Sequence, residues 1–260
     1  MSRSHWTTAG LFLVAGSVIA FTGCQSMSPA SRTQAGATFS NDPVKPLKAG
    51  QVADIQLGLG HSLEKQGDLE QAMAAYKEAL RHDPKCAEAY LRLAILHDRQ
   101  GQFNESEALY RGALALKPGD TEIFCDRGYS LYLQQCWAQA EMNLRQAIAL
   151  QPRHNRAHNN LGLVLAHTGR IDECLAEFRK AGCTEADAQS NLAYVLALER
   201  HWNDAREHYE YALAMDANSP QAKRGLEELI SLVSKANGTR PSSVPATALT
   251  SSALPLPTGN

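Results

Sequence analysis

The chain has 260 residues, of which 44 % are hydrophobic, and a formal net charge of -2 at pH 7. Its 25 basic residues are balanced by 27 acidic ones, so it lacks the basic field that binding to nucleic acid requires. Its six cysteines include no C-x-x-C pair, which argues against a zinc ribbon or a dithiol redox motif.

The first 23 residues are typical of a signal peptide. A basic start with Arg3 leads into an apolar run over residues 11–21, which is too short to span a bilayer comfortably. The run ends at Phe21-Thr22-Gly23-Cys24, which resembles the lipobox of bacterial lipoproteins. The resemblance implies that Cys24 is acylated and becomes the mature N-terminus. An uncleaved anchor helix and an ordinary secretory signal are the alternatives.

Residues 24–50 are predicted to be a flexible linker, because they are rich in Ser, Thr, Ala, Gly and Pro and poor in apolar side chains. Such a segment has a root-mean-square reach of about 28 Å. Two or more acyl chains on Cys24 would hold the protein permanently on a membrane without spanning it. The resemblance to bacterial lipoproteins also implies the enteric sorting rule, in which a residue other than Asp after the acylated cysteine favours the outer membrane. Gln25 occupies that position. We therefore expect a tethered protein that faces the periplasm.

The middle of the chain repeats with a period of 34 residues. The alanine column contains Ala79, Ala113, Ala147 and Ala181, and the proline column contains Pro84, Pro118 and Pro152. A large residue stands three positions before each alanine, at Tyr76, Tyr110, Leu144 and Phe178. A small residue recurs at Gly60, Ala94, Gly128 and Gly162.

These columns resemble the tetratricopeptide repeat. The resemblance implies an all-α fold, a right-handed superhelix of about five helical hairpins over residues 51–219. The units are predicted at residues 53–86, 87–120, 121–154, 155–185 and 186–219. We expect Gly67, Gly101 and Gly169 in the turns inside the hairpins, since a left-handed conformation costs glycine little. No hairpin can bury its apolar face alone, so the core must continue from unit to unit.

Three departures from the period stand out. Gln135 occupies the turn position of the third unit, and Arg127 occupies a column that is otherwise leucine. We expect Arg127 to be paired or to extend towards solvent. The fifth unit follows after 31 residues, and the deletion lies at Gly182-Cys183. The second helix of the fourth unit is therefore predicted to end early at a glycine cap.

After the last unit, Ser219 and Pro220 form a helix start, with serine as the N-cap. An apolar stripe follows over residues 220–235, which predicts a C-terminal capping helix. Residues 236–260 are rich in Pro, Ser, Thr and Ala and are predicted to be disordered.

In tetratricopeptide arrays the first helix of each unit lines the concave surface. At one register these helices carry an apolar and aromatic stripe that consists of His61, Ile95, Tyr129, Leu163 and Tyr194. At another register stand Asn160 and Asn191, which resemble the asparagine ladder that holds extended peptides, since an amide can match both N–H and C=O groups. The alternative is that the stripe only packs between helices and the asparagines bond locally. A third register, with Asp54, Glu88, Glu122, Arg156 and Asp187, lacks the clamp that other arrays use for a partner's C-terminal carboxylate.

The sequence contains no catalytic, phosphate-binding or dinucleotide-binding motif, and we predict neither a cofactor nor a metal site. His154 and His158 have a spacing that can bind metal on a helix, but His154 falls in a predicted loop and is interpreted as a solvated histidine. Cys125 and Cys174 are interpreted as packing residues. In an oxidising periplasm a disulfide between Cys125 and Cys136 is a further hypothesis.

The tether and the groove together suggest a lipid-anchored periplasmic scaffold that binds proteins or peptide segments. The chain is similar to small tetratricopeptide lipoproteins that assist assembly of pili and secretion channels. A regulatory lipoprotein that gathers cell-wall hydrolases is the alternative, and an enzyme built on the array is a remote third.

Overall fold

A computed structural model describes residues 46–238 of the chain. The predicted signal peptide, Cys24, most of the predicted linker and the tail after residue 238 lie outside the described residues. Within them, every regular element is an α-helix. The helices are α1 (Ala49–Gln66), α2 (Leu69–His82), α3 (Ala87–Arg99), α4 (Phe103–Leu116), α5 (Thr121–Leu133), α6 (Trp137–Leu150), α7 (Asn155–His167), α8 (Ile171–Lys180), α9 (Glu185–Leu198), α10 (Trp202–Met215) and α11 (Pro220–Gly238).

Each repeat unit is a hairpin of two contacting helices, and each hairpin also contacts the next one. The stack of helical hairpins predicted from the sequence is thereby confirmed. Helix α1 begins at Ala49, inside the segment predicted as linker. At the other end α11 continues to Gly238, beyond the predicted end of the capping helix at residue 235.

The hairpin turns keep one geometry even where glycine is missing. Gly67, Gly101 and Gly169 are left-handed, with φ of 86°, 72° and 73°, as predicted. Gln135 and Arg200 take the same place in the third and fifth units, with φ of 58° and 64°. Since a left-handed conformation is strained for residues other than glycine, packing of the two helices holds these turns in place.

The predicted early end of the fourth unit's second helix is confirmed. Helix α8 has 10 residues, whereas α2, α4, α6 and α10 each have 14. Gly182 is left-handed, with φ of 91°, and the Cys183 N–H donates to the Phe178 carbonyl. This is the glycine cap of a Schellman motif, which satisfies carbonyls at the helix end.

Close approach of the two helices in a hairpin depends on the column of small residues. The Phe178 ring is fully buried against Gly162, and a Cβ placed on that glycine would lie 2.6 Å from the ring. Gly128 is packed against Leu144 in the same way, at 2.7 Å. The period therefore pairs a small residue on the first helix with a large one on the second.

The two ends of the array differ. At the C-terminal end α11 packs on α9 and α10, and the Ser219 hydroxyl caps it by accepting a hydrogen bond from the Ala222 N–H, as predicted. At the N-terminal end Leu59 is 46 % exposed, although Leu93 in the same column is only 2 % exposed. Leu59 is exposed because no earlier described helix packs on that side of α1.

Candidate protein-binding groove

The first helices of successive units contact one another, α3 with α5, α5 with α7 and α7 with α9. They therefore form one continuous layer. The predicted stripe lies on this layer: His61, Ile95, Tyr129 and Tyr194 are partly exposed, and Leu163 is buried at 6 % exposure. A stripe that only packed between helices would be buried throughout. The groove thus has apolar side chains that a partner could reach.

Three tyrosines, Tyr129, Tyr132 and Tyr194, form what we call the aromatic surface. The rings of Tyr129 and Tyr132 stack with centroids 5.8 Å apart. Burial and then the neighbouring Tyr194 raise the pKa of the Tyr129 phenol above its usual value. Phenol rings that are partly buried and partly exposed combine a large contact area with a polar end, which is typical of protein interfaces.

The aromatic surface rests on a second cluster that sequence reasoning missed. The Trp137 and His167 rings stack with centroids 4.4 Å apart. His167 Nδ1 lies 2.6 Å from Glu199 Oε1, and its Nε2 lies 3.1 Å from the Tyr132 hydroxyl. Because burial lowers the pKa of His167, the imidazole is neutral at pH 7, donating to Glu199 and accepting from Tyr132. These contacts fix the Tyr132 ring in place.

Asn160 and Asn191 are placed in unlike surroundings, although they occupy the same register. Both are nearly buried, with exposures of 3 % and 8 %. The Asn191 side-chain oxygen accepts a 2.6 Å hydrogen bond from Gln221 of the capping helix. The Asn160 oxygen accepts from none of the described residues. Since no fully buried polar side-chain atom in the described range lacks a partner, that oxygen must reach solvent.

Ion pairs between repeats fill the N-terminal part of the groove. Glu64 accepts hydrogen bonds from Arg92 Nε at 3.1 Å and from the Tyr76 hydroxyl at 3.0 Å. Burial opposes ionisation of Glu64, but the hydrogen bond and charge of Arg92 outweigh it and hold the pKa of the carboxyl below its usual value. The pair joins α1 to α3 across the first two units.

A second network centres on Arg156 of α7. It pairs with Asp126 at 2.8 Å and with Glu122, both on α5. Burial raises the pKa of Asp126 to about 6, although Arg156 acts in the opposite direction. Glu122 also lies 2.8 Å from His154 Nε2, and His154 Nδ1 accepts from the Ala157 N–H.

The interpretation of His154 as a solvated loop histidine is wrong. Its side chain is 7 % exposed because it caps α7 and pairs with Glu122 of the preceding unit. His158 is also buried, with its ring nitrogens near Glu177 Oε2 at 2.5 Å and the Pro152 carbonyl at 3.0 Å. Both histidines have structural partners, and no group of three or more potential metal ligands occurs among residues 46–238.

Residues of these two ion-pair networks, together with apolar side chains, line a cavity of about 280 Å³ that we call the charged pocket. It lies between the N-terminal parts of α3 and α5. Its lining consists of Ala87, Glu88, Leu91, Arg92, Lys117, Asp120, Glu122, Ile123, Asp126 and Arg156. The alternation of acids and bases over several units was visible in the sequence, but that these side chains enclose one cavity was not.

Arg127 is paired, as predicted. Its guanidinium donates to both carboxylate oxygens of Glu107, at 3.0 and 2.7 Å, and to the Asn143 side chain. The hypothesis of a disulfide between Cys125 and Cys136 is wrong, since both thiols are free. Cys125 is buried near the start of α5 and Cys136 follows its end, about 12 Å or more along the helix, beyond disulfide reach.

A family model for the tetratricopeptide repeat matches residues 57–121 and 125–191 of this chain. The chain is 28 % identical over 186 residues to the type IV pilus assembly protein PilF of Pseudomonas aeruginosa, covering 67 % of this chain and 73 % of that protein. None of the described helices has both the length and the hydrophobicity needed to cross a membrane.

Solved structures show the same fold. The type IV pilus biogenesis factor PilW has a TM-score of 0.57 with 21 % identity, covering 73 % of this chain and 96 % of that chain. The Pseudomonas aeruginosa PilF structure has a TM-score of 0.54 with 23 % identity, covering 74 % of this chain and 95 % of that chain. The structure of YrrB, a tetratricopeptide protein with an unusual peptide-binding site, has a TM-score of 0.51 with 23 % identity, covering 67 % of this chain and 92 % of that chain.

Proposed function

The chain belongs to the tetratricopeptide repeat family, and on that premise we propose that it is a lipid-anchored scaffold of the bacterial envelope. It binds a protein or peptide segment in the groove during assembly of a machine such as a type IV pilus. The observation that carries this proposal is the stripe of partly exposed apolar and aromatic side chains on the continuous layer of first helices.

The groove residues predicted from the sequence have separate roles in this proposal. Ile95, Tyr129 and Tyr194 supply contact area, and Leu163 supports them from below. Asn160 presents an oxygen that can accept a peptide N–H, whereas the Asn191 oxygen is already occupied by Gln221. We therefore assign the peptide contact chiefly to Asn160 and give Asn191 a second role in holding α11.

The relationship to pilus assembly proteins supports the choice of machine. The relative at 28 % identity is a type IV pilus assembly protein and extends over most of both chains. A relative that takes part in pilus assembly favours a partner from the same kind of machine. Membrane attachment through Cys24, with the array facing the periplasm from the outer membrane, completes the proposal.

Site-specific photocrosslinking in cells tests the groove. A photoreactive amino acid replaces Tyr129 or Tyr194 in the full chain, and Met142 serves as the matched control because it is 63 % exposed on the second-helix layer, in α6. We expect crosslinks to a pilus assembly component from the two groove positions and not from Met142. Equal crosslinking from all three positions, or none from the groove, would contradict the proposal. Recovery of cell-wall hydrolases would favour the alternative function.

Acyl labelling tests the anchor separately. We expect the full chain to incorporate labelled fatty acid and to fractionate with the outer membrane, and Cys24→Ala to lose both properties. Equal labelling of the two proteins would remove the lipid anchor from the proposal and leave the groove intact. Labelling of wild type with fractionation in the inner membrane would correct only the location.

A further inference from the structure

The groove has different chemistry at its two ends. The charged pocket lies at the second and third units, and the aromatic surface lies at the third to fifth units. A partner segment that runs along the first helices would meet both. The two regions therefore constrain which side chains such a segment carries and in what order.

The lining of the charged pocket has an apolar part and a charged part. Ala87, Leu91 and Ile123 supply the apolar part of its lining. Four acids and three bases supply the rest: Glu88, Asp120, Glu122 and Asp126 against Arg92, Lys117 and Arg156. A long side chain with an aliphatic stem and a polar end would match both parts of this lining.

Every base in the pocket already has an acidic partner. Arg92 is held by Glu64, which lies outside the lining and is only 7 % exposed. Arg156 pairs with both Asp126 and Glu122. Lys117 lies 3.8 Å from Asp120. An incoming anion would have to displace one of these carboxylates, and it would meet four acids as it entered.

Glu88 differs from the other acids in the pocket in the type of partner that it has. Its side chain is 50 % exposed, and the partner that the described residues give it is His61, whose Nε2 lies 3.2 Å away. That partner is an imidazole, and no guanidinium or ammonium group of the described residues pairs with the Glu88 carboxylate. The pocket therefore has an excess of negative charge, located at the exposed Glu88 side chain.

We infer that the charged pocket receives a lysine or arginine side chain of the partner segment, while apolar side chains of the same segment lie on the aromatic surface. This inference rests on the proposed function, because it specifies the chemistry of a segment bound in that groove. The aliphatic stem packs on Leu91 and Ile123, and the cation pairs with Glu88. The cavity of about 280 Å³ has room for one long side chain.

The distance between the charged pocket and the aromatic surface also predicts how far apart the basic and apolar residues stand in the partner's sequence. The tyrosines of the aromatic surface lie on α5 and α9, so the middle of that surface is at α7, between these two helices. Neighbouring packed helices lie about 8–10 Å apart, so the pocket between α3 and α5 is roughly 15 Å from that middle. An extended chain advances about 3.3 Å per residue. The basic residue and the centre of the apolar group should therefore be separated by about four to six residues.

Selection from random peptides tests the inference without knowledge of the natural partner. The full-length protein, wild type or Glu88→Gln, is presented to a phage library of random 12-residue peptides. Glu88→Gln keeps the shape of an exposed side chain and should fold normally. The matched control is Glu105→Gln, which changes an exposed acid on the second-helix layer, in α4.

We expect wild type and Glu105→Gln to select peptides enriched in lysine or arginine, with apolar residues about four to six positions away. Glu88→Gln should lose the basic preference and keep the apolar one. Selected peptides with no basic preference, or a preference that Glu88→Gln leaves unchanged, would overturn the inference while leaving peptide binding in place. Failure of every variant to select any peptide would count against the proposed groove itself and therefore against both.

A direct binding measurement makes the result quantitative. A fluorescent peptide from the wild-type selection is compared with the same peptide carrying methionine in place of its basic residue. We expect Kd to rise about fivefold when either the basic residue of the peptide or Glu88 is replaced. When both are replaced, Kd should rise little further, because the same contact is already lost. Independent, multiplicative effects of the two changes would show that Glu88 and the basic residue do not meet. Tyr129→Ala should weaken the binding of both peptides by the same factor.

Discussion

The charged pocket and the aromatic surface both lie mainly on the first helices of the repeat units but are stabilised in different ways. Around the pocket, charged side chains of neighbouring units neutralise each other, as Arg92 does with Glu64 and Arg156 does with Asp126. Under the aromatic surface, apolar packing dominates, and nine residues of α7 are buried, against two in α1. The repeat thus fixes where a side chain lies and leaves its chemistry free to vary.

This difference separates stability from recognition. Paired charges give little net stability because the desolvation of each ion offsets its attraction to the partner. They do give selectivity, since the wrong charge is repelled. We therefore expect substitutions under the aromatic surface to affect folding most, and substitutions around the pocket to depend on pH and on the partner.

The largest effect is expected from Gly162→Ala. Its new Cβ would lie 2.6 Å from the fully buried Phe178 ring, so the two helices of the fourth unit must move apart. We expect the free energy of unfolding to fall by about 3 kcal/mol, measured by urea denaturation. The control is Gly58→Ala in α1, where a Cβ meets nothing within 4 Å. It should be neutral or stabilising by up to about 1 kcal/mol, and a similar loss in both variants would refute the comparison.

Arg156→Met should destabilise the fold by about 2 kcal/mol at pH 8, because it leaves Asp126 buried without its cation. The pKa of Asp126 is raised by burial to about 6, above the unfolded value of about 3.9. A raised carboxyl pKa means that this group's contribution to stability falls as pH rises from about 4 through the folded pKa. Loss of Arg156 raises that pKa further.

The loss of folding stability caused by Arg156→Met should therefore be smaller at pH 5 than at pH 8. Thermal unfolding at the two pH values measures it. Glu122 and Arg92 also act on Asp126, so Arg156→Met combined with Asp126→Asn provides the control and should lose most of this pH dependence. A cost that is the same at both pH values would mean that Asp126 does not titrate in this range.

The two asparagines should separate folding from binding. Asn191→Ala removes the acceptor of Gln221 and is expected to lower the free energy of unfolding by about 1 kcal/mol, with α11 loosened. Asn160→Ala should have a smaller effect on stability and a larger one on crosslinking from Tyr129. Hydrogen exchange of α11 and crosslinking yield give the two measurements. Identical behaviour of the two variants would contradict the separate roles.

The smallest effect is expected at the turns without glycine. Gln135→Gly and Arg200→Gly relieve the strain of positive φ values of 58° and 64°. Because glycine also makes the unfolded chain more flexible, the net gain should be no more than about 1 kcal/mol. Urea denaturation provides the measurement, with Gln100→Gly as a control at a right-handed position, where we expect a loss. A loss at Gln135 as well would show that its side chain contributes more than its strain costs.

The sequence by itself determined the period, the hairpins, the early end of α8 and the N-cap of α11. These features depend on contacts between residues that are close in the chain or one repeat apart, so the columns of small, large and turn residues reveal them. That Arg127 is paired or extends towards solvent was predictable for a different reason, since a charge in an otherwise leucine column needs a partner or water.

Only the tertiary structure decided how individual polar side chains are used. His154 looked like a loop residue but is buried, because the preceding unit supplies Glu122 as its partner. Asn160 and Asn191 share a register but differ, because only Asn191 lies next to Gln221 of the capping helix. Cys125 and Cys136 are close in sequence, yet Cys125 lies near the start of α5 and Cys136 lies beyond its end. In each case the deciding contact or separation depends on how helices pack in three dimensions, which a column of residue types does not record.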